Sequence, residues 1–321
     1  DNATVIEYIK SKTSGNLVDV LPAGAITQGR EGKKISQMLE MSDSGVKMFT
    51  DDGSTVMDSQ TLMRAFEYSS VKDILISQHC EDVSLTQKFT ANEGVMSFKL
   101  GLKGYPSVAE EIILSRDIML AEYCGNRRYH ASHISTAGAV ELVRIAKRKG
   151  LRVTAEATPH HFTLTDEALV SYDTSLKMNP PLRTRKDVEA IVAGLADGTI
   201  DCIATDHAPH ALHEKDVEFD IAPNGIVGLE TALALALTQL VATKSITLRQ
   251  MVEKLSVNPR KILQLESIRI EKGADVNITV FAPNTEWVLD KSKLKSKSKN
   301  TPFHGFKFVG KPVFAINNGK A

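Results

Sequence analysis

Cysteine and tryptophan are scarce in this 321-residue chain, which holds three of the first and one of the second. Cys80, Cys124 and Cys202 cannot all pair with one another and none has CxxC spacing, so a disulfide framework is excluded and reduced thiols in a cytoplasmic protein are expected. Long apolar runs are missing too. Stretches such as Ala232–Leu237 are far too short to span a bilayer. Neither sign of charge is in excess: 39 Lys+Arg balance 39 Asp+Glu, which removes any electrostatic reason to expect nucleic acid or a membrane as partner. No signal peptide is visible, and the first residue is Asp1 rather than Met. What is present is an ordinary globular composition, 42% hydrophobic and 24% charged, in a chain long enough for one large domain or two ordinary ones.

Short apolar runs alternate with stretches of helical period. Strands are predicted at Leu17–Ala25, Val46–Thr50, Ile74–His79, Tyr129–His133, Arg152–Ala157 and Asp201–Thr205. Helices are predicted at Gln60–Tyr68, Val108–Tyr123, Ala137–Lys149 and Arg185–Leu195, with Gly150 closing the third of them. This alternation implies an α/β fold, a parallel sheet covered by helices. Six strand–helix units fit either an open sheet or part of a (β/α)8 barrel, which needs eight units in about 250 residues. Helices at Gly228–Val241 and Leu248–Leu255 follow. Strands at Asp275–Phe281 and Phe306–Asn317 then suggest a small C-terminal β appendage. The Lys/Ser-rich stretch Lys291–Lys299 between them has no interleaved aromatics and reads as a solvated loop.

The successive strand ends carry Asp51-Asp52, His79, His133, His160-His161 and Asp206-His207. C-terminal strand ends of parallel sheets converge on one face, so these distant residues are expected to meet there. Imidazoles mixed with carboxylates are the donors of a catalytic zinc or a similar divalent ion. Each residue alone has a plainer reading: a core histidine, an Asp-Gly turn at Asp52-Gly53, a helix N-cap at Asp206. Repetition at four or five successive strand ends favours the metal. His130 and His133 lie three apart on a strand and face opposite ways, so only His133, nearer the strand end, is assigned to the site. His160 and His161 likewise cannot both face it, and His213 and His304 are assigned no role.

His79-Cys80-Glu81-Asp82, His133-Ile134-Ser135-Thr136, Met178-Asn179-Pro180-Pro181-Leu182-Arg183 and Ala204-Thr205-Asp206-His207-Ala208-Pro209-His210 resemble dihydroorotases of the amidohydrolase superfamily. Phe49-Thr50-Asp51-Asp52-Gly53 is similar to the bacterial type with a bridging aspartate, and Asn300-Thr301-Pro302-Phe303 to its C-terminal region. The resemblance implies a (β/α)8 barrel with a small β domain that interconverts N-carbamoyl-L-aspartate and L-dihydroorotate in pyrimidine synthesis. It implies two zinc ions, with His79 and His133 on the second, Asp52 bridging, and Asp206 on the first and serving as proton-transferring acid/base. Asn179, His210 and Asn224-Gly225 would contact substrate, although relatives often have an aromatic residue where Asn224 stands.

The family's first strand carries His-x-His and an arginine, and its second an asparagine; none is in this sequence, which resembles the family from about its third strand onward. On that basis residues 1–265 are expected to form strands 3–8 of the barrel, and 266–321 a portion of the β domain. The chain alone is expected to hold half of the binuclear centre and to be inactive. Lys47, in Val46-Lys47-Met48-Phe49, resembles the carboxylated bridging lysine of hydantoinases, so Lys47 and Asp52 both stand as candidate bridges, with Asp52 preferred. Two rival readings follow: a dihydropyrimidinase or allantoinase, and a silent dihydroorotase-like subunit that scaffolds aspartate transcarbamoylase. A homodimer is what the resemblance implies for assembly. Leu212–Pro223, with Glu214-Lys215-Asp216 at its centre, is expected to be a mobile loop beside the site.

Overall fold

The computed structural model describes residues 1–321 and contains nine strands. They are β1 (Met48–Phe49), β2 (Leu75–Gln78), β3 (Ala91–Asn92), β4 (Gly104–Tyr105), β5 (Tyr129–Ala131), β6 (Val153–Ala157), β7 (Cys202–Ile203), β8 (Ile278–Val288) and β9 (Lys307–Ile316). The central sheet is parallel throughout, in the order β1-β2-β5-β6-β7. Gly24 adds one parallel bridge to Phe49 on the β1 side, and His207 another to Ile226 beyond β7. Parallel neighbours need crossovers, and here helices supply them: Ser59–Ser69, Val108–Tyr123, Ala137–Arg148 and Arg185–Asp197.

Local chemistry sets the ends of these helices. Asp58 accepts from Thr61 N–H and Thr136 from Ala139 N–H, while Thr184 and Asp187 form a reciprocal capping box. Gly150 takes φ +76° just past the third helix, a left-handed turn that a glycine adopts without strain. That helix buries Ala139, Val140, Val143 and Ala146, one stripe at helical spacing, against the sheet. The stripe joins a core of 45 buried residues that runs through the sheet into the C-terminal region. Burying a side chain such as Phe49 or Leu62 stabilises by about 1.5–3 kcal/mol each.

The predicted strand at Leu17–Ala25 does not form. Only Gly24 reaches the sheet, while Val18, Val20 and Leu21 are 66%, 42% and 50% exposed and Pro22 has no N–H to offer a ladder. A strand needs a neighbouring ladder to pair with, and beyond the single bridge at Gly24 this segment has none. The helix expected from Gly228 begins at Ala232 instead. A side chain at Gly228 would lie 2.8 Å from Thr205 O, so the preceding turn passes directly over the end of β7.

β8 and β9 form an antiparallel hairpin, with Trp287 Nε1–H donating to Gly310 O at 2.8 Å. Phe303, Phe306 and Phe308 stack with one another and enter the main core. Gly310 lies so close to the helix from Ala232 that a Cβ there would fall 2.2 Å from Leu237 Cδ1. No helix is long and apolar enough to cross a membrane.

Candidate metal centre

Two adjacent aspartates after β1 divide two tasks between them. Asp51 is fully buried and accepts from Ile26 N–H (2.8 Å), Thr27 N–H (3.0 Å) and the Thr27 hydroxyl, tying segment 24–27 to the strand end. Asp52 is thereby turned toward the ends of β2 and β5. Its Oδ1 lies 3.2 Å from His133 Nε2 and 3.5 Å from His79 Nδ1, and those two nitrogens are 3.1 Å apart. Asp52, His79 and His133 thus place three donor atoms around one point. His133 achieves this with φ +29° two residues beyond β5, a left-handed conformation that costs a non-glycine residue energy and is found at functional sites.

A carboxylate shell fixes the histidines. Glu81 Oε2 accepts from His79 Nε2–H at 2.8 Å, which sets the tautomer and leaves the Nδ1 lone pair toward Asp52 and His133. Glu81 is itself held by the Thr86 hydroxyl and by Asn179 Nδ2–H, the latter at 2.8 Å. Two imidazole nitrogens 3.1 Å apart cannot both present lone pairs to each other; a proton or a metal cation has to lie between them. Burial disfavours the imidazolium of His133, but the Asp52 carboxylate and the charges of Asp206 and Glu156 outweigh it and hold the ring up to about 10. Asp52 responds in the opposite sense: burial pushes it up, and His133, His79 and Arg30 bring it well below the usual carboxylate range. His133 Nδ1 is buried without a partner. The donor set, with both imidazoles buried and their nitrogens 3.1 Å apart beside a half-exposed carboxylate, fits a divalent cation.

The other candidates are distributed around this point. Asn179, reached through Lys177-Met178, touches Glu81 and leaves its Oδ1 buried and unpaired. His210 Nε2–H donates to Asn224 O at 2.8 Å, and Asn300 Nδ2–H bonds both Ala208 O and Gly225 O at 3.0 and 3.1 Å. Gly225 is required where it stands: at φ +145° a Cβ would meet Ala208 at 2.8 Å and His210 at 2.9 Å. Asp206, at φ +44°, makes no hydrogen bond and lies outside the trio whose donor atoms are within 4.8 Å of one another. Burial raises its pKa, opposed by His133 and reinforced by Asp52.

A model of the "Dihydro-orotase-like" family matches residues 1–139. The dihydroorotase of Acetivibrio thermocellus is 50% identical over 321 residues, covering 99% of this chain and 75% of that protein. The one from Syntrophus aciditrophicus is 48% identical over 321 residues, covering 100% and 75%. The chain belongs to the dihydroorotase family. Among solved structures, the L-hydantoinase (dihydropyrimidinase) of Arthrobacter aurescens superposes with a TM-score of 0.85 at 22% identity, covering 99% of this chain and 73% of that one. The dihydropyrimidinase of Brevibacillus agri gives 0.84 at 20% identity, covering 99% and 73%. At that identity the likeness establishes the amidohydrolase barrel fold.

In this dihydroorotase-family chain, Lys47 is exposed and makes no hydrogen bond, whereas Asp52 contacts both histidines. His130 faces away from the trio and bonds Thr154 (2.8 Å) and Glu156 (3.1 Å) on β6. His161 is a scaffold residue: its ring bridges Thr158 Oγ1 at 2.8 Å and Pro180 O at 3.0 Å, bracing the turn after Asn179. His207 Nδ1 accepts from Gly228 N–H. Glu81 was visible only as part of a motif, because a supporting carboxylate two residues from a ligand carries no periodic signal. Arg183, the last residue of the Met178–Arg183 string, is buried; it bonds Ser135 Oγ, Asn92 Oδ1 and Tyr105 O, and lies 3.5 Å from Glu110. Glu110 in turn accepts from the N–H groups of Ser135 and Thr136. The loop that carries His133 and the segment that carries Asn179 are thus joined through one guanidinium.

Proposed function

We infer that this protein is a dihydroorotase, a cyclic amide hydrolase that interconverts L-dihydroorotate and N-carbamoyl-L-aspartate, placing it in cytoplasmic pyrimidine biosynthesis. Family membership supports the reaction, and the observation that carries the site is the convergence of Asp52, His79 and His133 on one point that requires positive charge. These three residues would hold a divalent cation, for which we propose zinc. With an ion bound, such a site polarises an amide carbonyl and lowers the pKa of water toward about 7.

The protein's own groups supply the rest. Asp206 is near enough to feel the charges of His133, Asp52 and His79, and burial raises its pKa, which suits a carboxylate that takes a proton from the attacking water and returns it to the ring nitrogen as the amide opens. The reverse transfer accompanies ring closure. Asn179 has an unpaired buried oxygen available to an N–H of the substrate, and the Asn224 amide N–H at the His210, Asn224 and Gly225 corner would donate to its carboxylate. Glu81 keeps His79 in the tautomer that leaves Nδ1 free.

Comparing turnover of dihydroorotate, dihydrouracil and allantoin by the full-length protein tests the substrate. Preference for dihydroorotate is expected; preference for either of the others would replace this reading by the hydantoinase-like one. Complete absence of bound metal would favour a silent scaffold subunit.

A further inference from the structure

The segment between His210 and Asn224 is closed at its neck and pinned through its middle. At the neck, His210 Nε2–H donates to Asn224 O. In the middle, Lys215 is only 7% exposed, and its ammonium enters a cradle of main-chain carbonyls: Pro223 O at 2.6 Å, Thr174 O at 3.0 Å and Lys177 O at 3.4 Å. An ammonium has three N–H donors, and all are engaged. The Thr174 hydroxyl answers by donating to Lys215 O. Lys177 O also accepts Gly225 N–H at 2.9 Å, so a carbonyl two residues before Asn179 receives both the Lys215 charge and the Gly225 main chain. Lys177 Nζ–H reaches Asp220 O at 2.8 Å, and Phe219 is buried beside Leu176 and Met178. Burial, and then repulsion from Lys177, bring Lys215 down to about 8. The charged centre of the segment expected to be a mobile loop is therefore an anchor point.

We propose that Lys215 is a positioning residue for the dihydroorotase reaction: its buried ammonium fixes the Asn224–Gly225 corner against the Lys177–Asn179 segment. This rests on the functional reading above. Lys215 touches neither substrate nor metal ligand, so its contribution is preorganisation. Without it, binding substrate must first order the corner, which weakens binding more than the chemical step.

The test is made on the full-length, metal-loaded enzyme with Lys215→Met, and with Lys254→Met as a matched control. Lys254 is equally buried, 5% exposed, but donates to Ile200 O at the opposite end of β7 from the site. For Lys215→Met, KM for dihydroorotate is expected to rise about tenfold, the scale of one lost charged hydrogen bond, with kcat and metal content little changed. Protease cleavage within Leu212–Pro223 should also quicken. Lys254→Met should lower the melting temperature without moving KM. Should Lys215→Met fold poorly, Lys215→Arg retains the charge and is expected to keep KM near the wild-type value and cleavage slow. A folded Lys215→Met with unchanged KM, a Lys254→Met that raises KM equally, or a Lys215→Arg as impaired as Lys215→Met would overturn the proposal. Absence of wild-type turnover would instead overturn the functional reading, and it is distinguished because it appears before any substitution.

Discussion

Replacing Glu81 by Gln removes one negative charge while keeping nearly the same shape, and the structure sets what should follow. Glu81 Oε2 accepts from both His79 Nε2 and Asn179 Nδ2 at 2.8 Å, and Oε1 accepts from the Thr86 hydroxyl. If the new amide turns its oxygen toward His79, the tautomer survives, because Thr86 Oγ1 can accept from the amide nitrogen. The loss is then the difference between a charged and a neutral acceptor, about 1 kcal/mol. If it turns the other way, His79 must carry its proton on Nδ1, which points at Asp52 and His133 and blocks a ligand lone pair. Either outcome weakens metal binding, and the two bracket a loss of about 10- to 100-fold, or about 1 to 3 kcal/mol. Zinc affinity measured by competition with a chelator reads this directly, with circular dichroism as the control for folding. Unchanged affinity in a folded Glu81→Gln protein would refute the role given to Glu81 and the assignment of Nδ1 as the donor atom of His79.

Asp206→Asn should reduce dihydroorotate turnover to near background with fold and zinc binding at the Asp52 trio retained; wild-type kcat would remove Asp206 from proton transfer. His161 is buried neutral and held at about 3, well below its unfolded value near 6.5, by burial first. The unfolded state therefore takes up the proton first. This stability is fully present above pH 6.5 and drains away at about 1 kcal/mol per pH unit as pH falls toward 3. His161→Gln should flatten the acid limb of urea stability between pH 6.5 and 5 relative to wild type, and an identical slope would contradict the buried neutral state. Arg183→Met strips the partner from Glu110 within a buried network and should lower stability by about 3 kcal/mol or more, seen as a large drop in melting temperature. A shift within about 1 kcal/mol of wild type would show that the network is dispensable.

Much of this was legible in the sequence because it is periodic or positional. The helix at Ala137–Arg148 repeats apolar residues at helical spacing, and the strand-end histidines stand out by recurring along the chain. The two-residue period of a strand and a place nearer the strand end favour His133 over His130; in the structure His133 contacts Asp52 while His130 bonds Thr154, and His133 lies beyond β5 at φ +29°. Leu17–Ala25 was misjudged because apolar residues with β propensity make a strand only when a neighbour offers a ladder. β3 and β4, two residues each, are too short to leave a pattern. Lys215 was hidden for a different reason: its partners Thr174 and Lys177 lie 41 and 38 positions away and are main-chain carbonyls, which any residue type can supply. A lysine flanked by Glu214 and Asp216 reads as surface until the fold brings those carbonyls around it.

Dihydroorotate hydrolysis by the full-length protein, followed before metal removal, after exhaustive chelation and after zinc is returned, tests the central claim most directly. Loss of turnover on chelation and its recovery with zinc are predicted, with neither recovery nor tight zinc binding in His133→Ala. Turnover that persists in protein shown to be free of metal would contradict the account.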